Sequence, residues 1–132
     1  MKRLAALLLL CSVAFADTDV VQTCYIQSAA NTNATMCKSV SGNVYAVYGI
    51  NTTSTNYFLH MFNVTSGPTC TATTEKEIIP VFGASSNGGG FIRTQPGAQQ
   101  YSNGIGFCLT GAGSAGDNTN AATGVYITIL YN

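Results

Sequence analysis

Along residues 20–132 the apolar positions recur with a period of two. Tyr57, Leu59 and Met61 alternate with Phe58, His60 and Phe62, and Val125, Ile127 and Ile129 alternate with Tyr126, Thr128 and Leu130. Alternation of this kind sends successive side chains to opposite faces of a strand. Stretches rich in Val, Ile, Tyr, Phe and Thr and bounded by Gly, Asn, Ser or Pro are predicted as strands over 42–50, 56–64, 76–83, 104–111 and 124–132. Weaker strands over 20–27 and 90–95 bring the total to seven or eight. Both faces of the strong strands are largely apolar, so cover on both sides is expected. Residues 28–35 and 84–90 read as loops from their Ser, Asn and Gly content. No window combines helical periodicity with capping residues. The pattern therefore predicts an all-β chain, a single antiparallel β-sandwich or jelly-roll-like domain.

Ahead of this pattern, "MKRLAALLLLCSVAFADTD" places Lys2 and Arg3 before an apolar run from Leu4 to Val13 and then Ala14-Phe15-Ala16. This is the form of a secretory signal peptide with a small-x-small cleavage site, cut between Ala16 and Asp17. The run is shorter than the about 20 residues a membrane-crossing helix needs, and no second apolar span follows. Cys11 follows Leu10, where a lipidation site wants a small residue. The expected organisation is a signal peptide at 1–16 and a β-sandwich domain at 17–132, secreted or periplasmic, with no membrane span in the mature form.

After Ala16 the charged residues are Lys38, Lys76 and Arg93 against Asp17, Asp19, Glu75, Glu77 and Asp117. Nucleic acid is excluded as a partner, because phosphate binding needs clustered Lys and Arg. The polarity comes instead from Asn, Gln, Ser and Thr, a surface suited to packing or sugar contacts. Four cysteines remain after the cut, Cys24, Cys37, Cys70 and Cys108. An even number in an oxidising compartment reads as two disulfides, for which three pairings are open. A zinc site lacks the close Cys or His pairs it requires, His60 being the only histidine. Cys24 and Cys37 enclose the polar stretch "YIQSAANTNATM", which favours a local bridge between them that anchors the first strand.

The stretch "GIGFCLTGAGSAGDNTN" holds Gly111-x-Gly113-x-x-Gly116 after an apolar run. A dinucleotide fingerprint needs a helix after the loop and an acidic residue about 20 positions on. Here another strand follows and Asp117 is the last acid. The glycines are read as a long strand connection taking positive φ, with Asp117 and Asn118 bonding the local backbone.

Three segments carry a family resemblance: "GNVYAVYGINTTSTNYFLHMFNVTSGPT", "IIPV" and "SNGIGFCLTGAGSAGDNTNAATGVYITILYN". They resemble a small β-sandwich domain of bacteriophage virion-associated and uncharacterised prophage proteins, over roughly residues 40–131. Gly42, Val44 and Tyr45 match its first strand, Tyr57, Leu59, Phe62 and Asn63 its second, and Pro68 and Thr69 a turn. Its ending is matched by Gly104, Ile105, Gly106, Thr110, Gly111, Asp117, Thr119, Ala121, Gly124 and Tyr131. The resemblance implies a compact β-sandwich used in assembly or attachment, with no cofactor. Cys70 and Cys108 stand where that family has small apolar residues, as though introduced together, and this implies a Cys70–Cys108 bridge.

Candidate chemistry is sparse. His60 as a base lacks an evident nucleophile and orienting acid, and is read as an outward or inter-subunit polar residue. Glu75 and Glu77, two apart at a strand start, are expected on one side and in solvent; paired carboxylates of a glycosidase are the rival reading. Asp117 with Asn118 and Asn120 is a weak field for Ca²⁺. The sequons at Asn33, Asn51 and Asn63 are no more than the Ser/Thr content supplies by chance. The expectation is a secreted, non-enzymatic structural or attachment module that self-associates or joins another surface or virion protein. The alternative is a small glycan-binding domain presenting Asn, Gln and Tyr from "SSNGGG" and "QPGAQQY".

Overall fold

The structure is a computed structural model that describes residues 20–84 and 89–132. The expected signal peptide over 1–16, its expected Ala16–Asp17 cut and most of the loop expected over 84–90 lie outside the described residues. Among them there is no helix, and so none long and apolar enough to cross a membrane. The strands are β1 (Gln22–Gln27), β2 (Thr35–Lys38), β3 (Gly42–Asn51), β4 (Tyr57–Asn63), β5 (Glu75–Val81), β6 (Gly89–Tyr101), β7 (Ile105–Thr110) and β8 (Val125–Tyr131).

They form two antiparallel sheets in the orders β1-β8-β3-β6 and β2-β7-β4-β5. The pairs β1–β8, β2–β7, β3–β6 and β4–β5 are those of one long hairpin with its tip between β4 and β5. Rolling that hairpin brings β8 against β3 and β7 against β4. This is the jelly-roll arrangement of an all-β sandwich.

Two elements depart from the sequence pattern. β2 is a four-residue strand in a stretch without a clear alternation, and its register shifts between Met36 and Lys38. β6 runs well beyond 90–95. Its register on β3 jumps from Ala46↔Thr94 to Val44↔Gln99, so residues 95–98 bulge out opposite Tyr45. Pro96 lacks the N–H that a ladder needs, and Gly97 and Ala98 take positive φ, which hides the strand's continuation from a pattern reading.

The alternation seen in the sequence decides what fills the sandwich. On β8, Val125, Ile127, Ile129 and Tyr131 are buried inward, while Tyr126, Thr128 and Leu130 are half-buried outward. Leu59 and Met61 of β4 and Ile105, Phe107 and Leu109 of β7 meet them from the other sheet. Each such side chain contributes about 1.5–3 kcal/mol by leaving water. The strand β7 is buried at every position, because its outward residues Gly106, Cys108 and Thr110 are covered as well.

The two open sides of the sandwich are closed by different means. Between the edge strands β1 and β2, Cys24 and Cys37 form a disulfide with Cα atoms 5.6 Å apart. The Tyr131 hydroxyl donates to the Cys37 carbonyl alongside it at 3.1 Å. Between β5 and β6, Arg93 pairs with Glu77, and Lys76 donates to the Gln100 carbonyl while lying 4.6 Å over the Tyr101 ring. Tyr101 itself is buried, and burial pushes its hydroxyl up to about 12, against a smaller downward pull from Arg93. A second disulfide, Cys70–Cys108, has Cα atoms 5.8 Å apart and ties the β4–β5 connection to the outer face of β7. Two disulfides are typical of extracytoplasmic proteins.

The Cys24–Cys37 bridge closes a loop with a sequence separation of 13. Replacing both cysteines by serine is expected to cost about 3 kcal/mol by the loop-closure estimate. The check is the denaturant midpoint under non-reducing conditions; an unchanged midpoint would mean that the sheets are held together at this side without the bridge.

Candidate functional site

The outer face of the β2-β7-β4-β5 sheet carries the chain's only histidine. His60 and Cys108 are cross-strand partners, as are Phe58 and Thr110, and Phe62 and Gly106. All six therefore share this face. The acid that meets His60 arrives through a register break. β5 pairs Met61 with Glu77 but Phe62 with Glu75, leaving Lys76 bulged between them. A bulge resets which face each later residue occupies. Glu77 thus stays with the inward set and reaches Arg93, while Glu75 turns to the outer face and reaches His60. The expectation that Glu75 and Glu77 lie on one side in solvent is overturned: they face opposite ways, and the Glu75 side chain is 3% exposed.

His60 is likewise not an outward residue, being fully buried. Its Nδ1 lies 3.2 Å from Glu75 Oε1 and carries the hydrogen that a carboxylate acceptor requires. Its Nε2 lies 3.0 Å from the Ala112 carbonyl and 2.9 Å from Thr110 Oγ1. The Thr110 hydroxyl donates to Nε2 when that nitrogen is bare, or to the Ala112 carbonyl, 3.0 Å away, when Nε2 also carries a hydrogen. In either state both ring nitrogens are bonded.

The cover over this cluster is the glycine loop. The Gly116 N–H donates to Glu75 Oε1 at 2.7 Å. Asp117 Oδ2 accepts from the Ala112 N–H at 3.0 Å and from Thr119 Oγ1 at 2.7 Å, folding the loop back on itself. The local-backbone role read for Asp117 is what its carboxylate performs. Of the three glycines only Gly116 takes positive φ, at 72°. Gly113 serves by close approach: a Cβ there would meet the Phe58 ring at 2.8 Å. Beside the loop, Cys70, Cys108 and Phe62 make a separate apolar cluster, with Val64 and Ala72 packed on it.

Glu75–His60–Thr110 follows the acid–imidazole–hydroxyl order of a hydrolytic triad. Here the hydroxyl and the ring are fully buried, and the Ala112 carbonyl occupies the position next to Nε2 from which a substrate would be approached. The arrangement is a pin between β4, β5, β7 and the loop. Burial raises the Glu75 carboxyl, but the Gly116 and its own N–H groups together with His60 outweigh this and hold it below its ordinary 4.5. Asp117 is raised by burial and lowered further by the Thr119 and Thr110 hydroxyls and the Ala112 and Thr119 N–H groups, with a net fall below 3.8.

The other candidates fall elsewhere. Asn118 and Asn120 are exposed, and no group of three or more metal-ligating side chains occurs among the described residues. Two sequon asparagines are buried: Asn33 bonds the backbone of Ala29 and Asn31, and Asn51 that of Thr53, Thr55 and Val81. Asn63 is half-buried and bonds Ser102 and Asn103. The stretch "QPGAQQY" is no free loop, since it completes β6 and buries Tyr101 in the core. Most of "SSNGGG" lies outside the described residues. Sequence reasoning missed Glu75 and Thr110 as partners of His60. The one available signal was a polar ring amid apolar neighbours in a strand, which demands partners wherever it is buried.

Both carboxyls sit lower in the folded chain than in the unfolded one, so their stabilisation is full above the unfolded values and is lost as pH falls through the folded ones. Stability is expected to be level near neutrality and to drop below about pH 4.5. Glu75→Gln should blunt that drop, and Glu75→Ala should cost about 1–3 kcal/mol at neutral pH by leaving the buried His60 Nδ1–H without its acceptor. Urea midpoints from pH 7 to pH 3 make the comparison; an identical acid profile for Glu75→Gln would refute the role of the pair.

No protein-family model matches the chain, and no curated protein matches it.

Proposed function

We propose that this chain is a secreted, non-enzymatic structural or attachment module of the kind represented by the phage-associated sandwiches that its sequence resembles, acting by association with copies of itself. The observation that carries this reading is the sealed cluster beneath the glycine loop. The one histidine, its acid and its hydroxyl neighbour are committed to holding chain against chain. What the module offers to a partner is therefore surface rather than a reactive pocket. Two disulfides and the low charge suit such a part outside the cytoplasm, where a rigid body with little self-repulsion packs against its like.

A second reading, a glycan-binding domain, draws on Tyr25, which is 60% exposed and sits on a sheet face whose cross-strand partners among the described residues are uncharged. Aromatic rings of that kind also stack on sugars.

Light scattering on the oxidised protein, over a wide concentration range, separates these readings. Association is expected, with the mass rising above that of one copy as concentration increases. A single-copy mass throughout, together with binding on a glycan array, would replace the first reading by the second.

A further inference from the structure

We infer that the outer face of the β1-β8-β3-β6 sheet is the surface on which a second copy of this chain docks; this rests on the self-associating reading above and names its interface. The two sheets of the roll are treated differently. The outer face of β2-β7-β4-β5 is covered by its own chain, through Cys70 and the glycine loop. No such cover lies on the other sheet's outer face among the described residues, where Tyr25 and Ile50 are 60% and 58% exposed.

Register shows what this face contains. Thr128 of β8 pairs with Tyr25 on one side and Tyr48 on the other, which makes one cross-strand row. The next row holds Tyr126 between Gln27 and Ile50, and the row on the other side holds Leu130 between Thr23 and Ala46. Thr94 of β6 pairs with Ala46 and extends the last row. Not one of these residues is charged. Strands about 4.8 Å apart and about 3.3 Å per residue give the four-stranded face a span of roughly 20 Å each way. That is roughly 400 Å² on each copy, the size of a weak, concentration-dependent contact rather than of a tight or obligate dimer.

Charge decides the occupant. In a two-fold contact, residues near the axis meet their own copies, so any charge there would face like charge. An uncharged face of Tyr, Thr, Ile and Leu is the composition such a contact tolerates. A sugar would instead need amides or carboxylates to hold its hydroxyls, and Gln27 is the only amide in the three rows. A charged partner would find nothing of opposite sign.

Thr128 lies at the centre of the face and is half-buried in the single chain, so it is the position to charge. Sedimentation velocity on the full oxidised chain would compare the parent with Thr128→Lys, Thr128→Glu and their equimolar mixture. The parent is expected to dimerise with rising concentration. Each variant alone should dissociate at least tenfold more readily, and the mixture should regain the parent's mass. Near-UV circular dichroism checks folding, and Tyr25→Lys, at a more exposed position, replaces any Thr128 variant that fails to fold. Variants that associate as tightly as the parent would overturn this face while leaving self-association standing. A parent that stays single at every concentration would overturn both. Failure of the mixture to regain mass would overturn the face-to-face geometry.

Discussion

A histidine with no access to water must be bonded at both ring nitrogens, and meeting that requirement at His60 organises one half of this molecule. The ring sits in the middle of a sheet face that would otherwise be open. Its Nδ1 calls for an acceptor that only the bulge at Lys76 delivers, in the form of Glu75. Its Nε2 calls for partners that the end of β7 and the turn after it deliver, in Thr110 and the Ala112 carbonyl. Satisfying the ring therefore brings β4, β5, β7 and the glycine loop together. The loop is held in turn by Gly116 on Glu75 and by Asp117 on Ala112. A buried pair of this kind adds less net stability than its geometry suggests, because desolvation opposes it. Its consequence is positional: it dictates where the loop lies.

Once that face is closed, the asymmetry of the sandwich follows. The Cys70–Cys108 bridge and the Phe62 cluster extend the same cover over β7, so that every residue of β7 is buried. The other sheet keeps Tyr25 and Ile50 in solvent. At β7 the first sheet is internal on both faces, and among the described residues the other sheet is internal on one. The sides are closed independently, by Cys24–Cys37 at β1 and β2 and by Arg93–Glu77 at β5 and β6, so neither depends on the loop.

How far the sequence disclosed this depended on the range of the interaction. The alternation in β4 and β8 was plain, because inward and outward positions are a local property of a strand that has one buried face, and it carried the sandwich class with it. β2 and the second half of β6 were not visible, since a register shift in one and Pro96-Gly97 in the other break the period that a pattern reading depends on. The His60 cluster was hidden for a further reason. Glu75 and Glu77 look equivalent at a spacing of two, and only the bulge opposite β4 sends them to different faces. Asp117 was legible as a turn residue because its partners lie within five positions; Glu75 was not, because its loop partner Gly116 is 41 positions away.

Native-state amide hydrogen exchange, comparing the parent chain with Glu75→Gln, tests most directly the claim that the buried pair holds the loop. The Ala112, Gly116 and Asp117 amides, all bonded within the cover, should lose protection in the variant. The amides of β3 and β8 should keep theirs, because the sides and core of the sandwich do not depend on the pair. Unchanged protection across the loop, or a uniform loss through both sheets, would contradict the account.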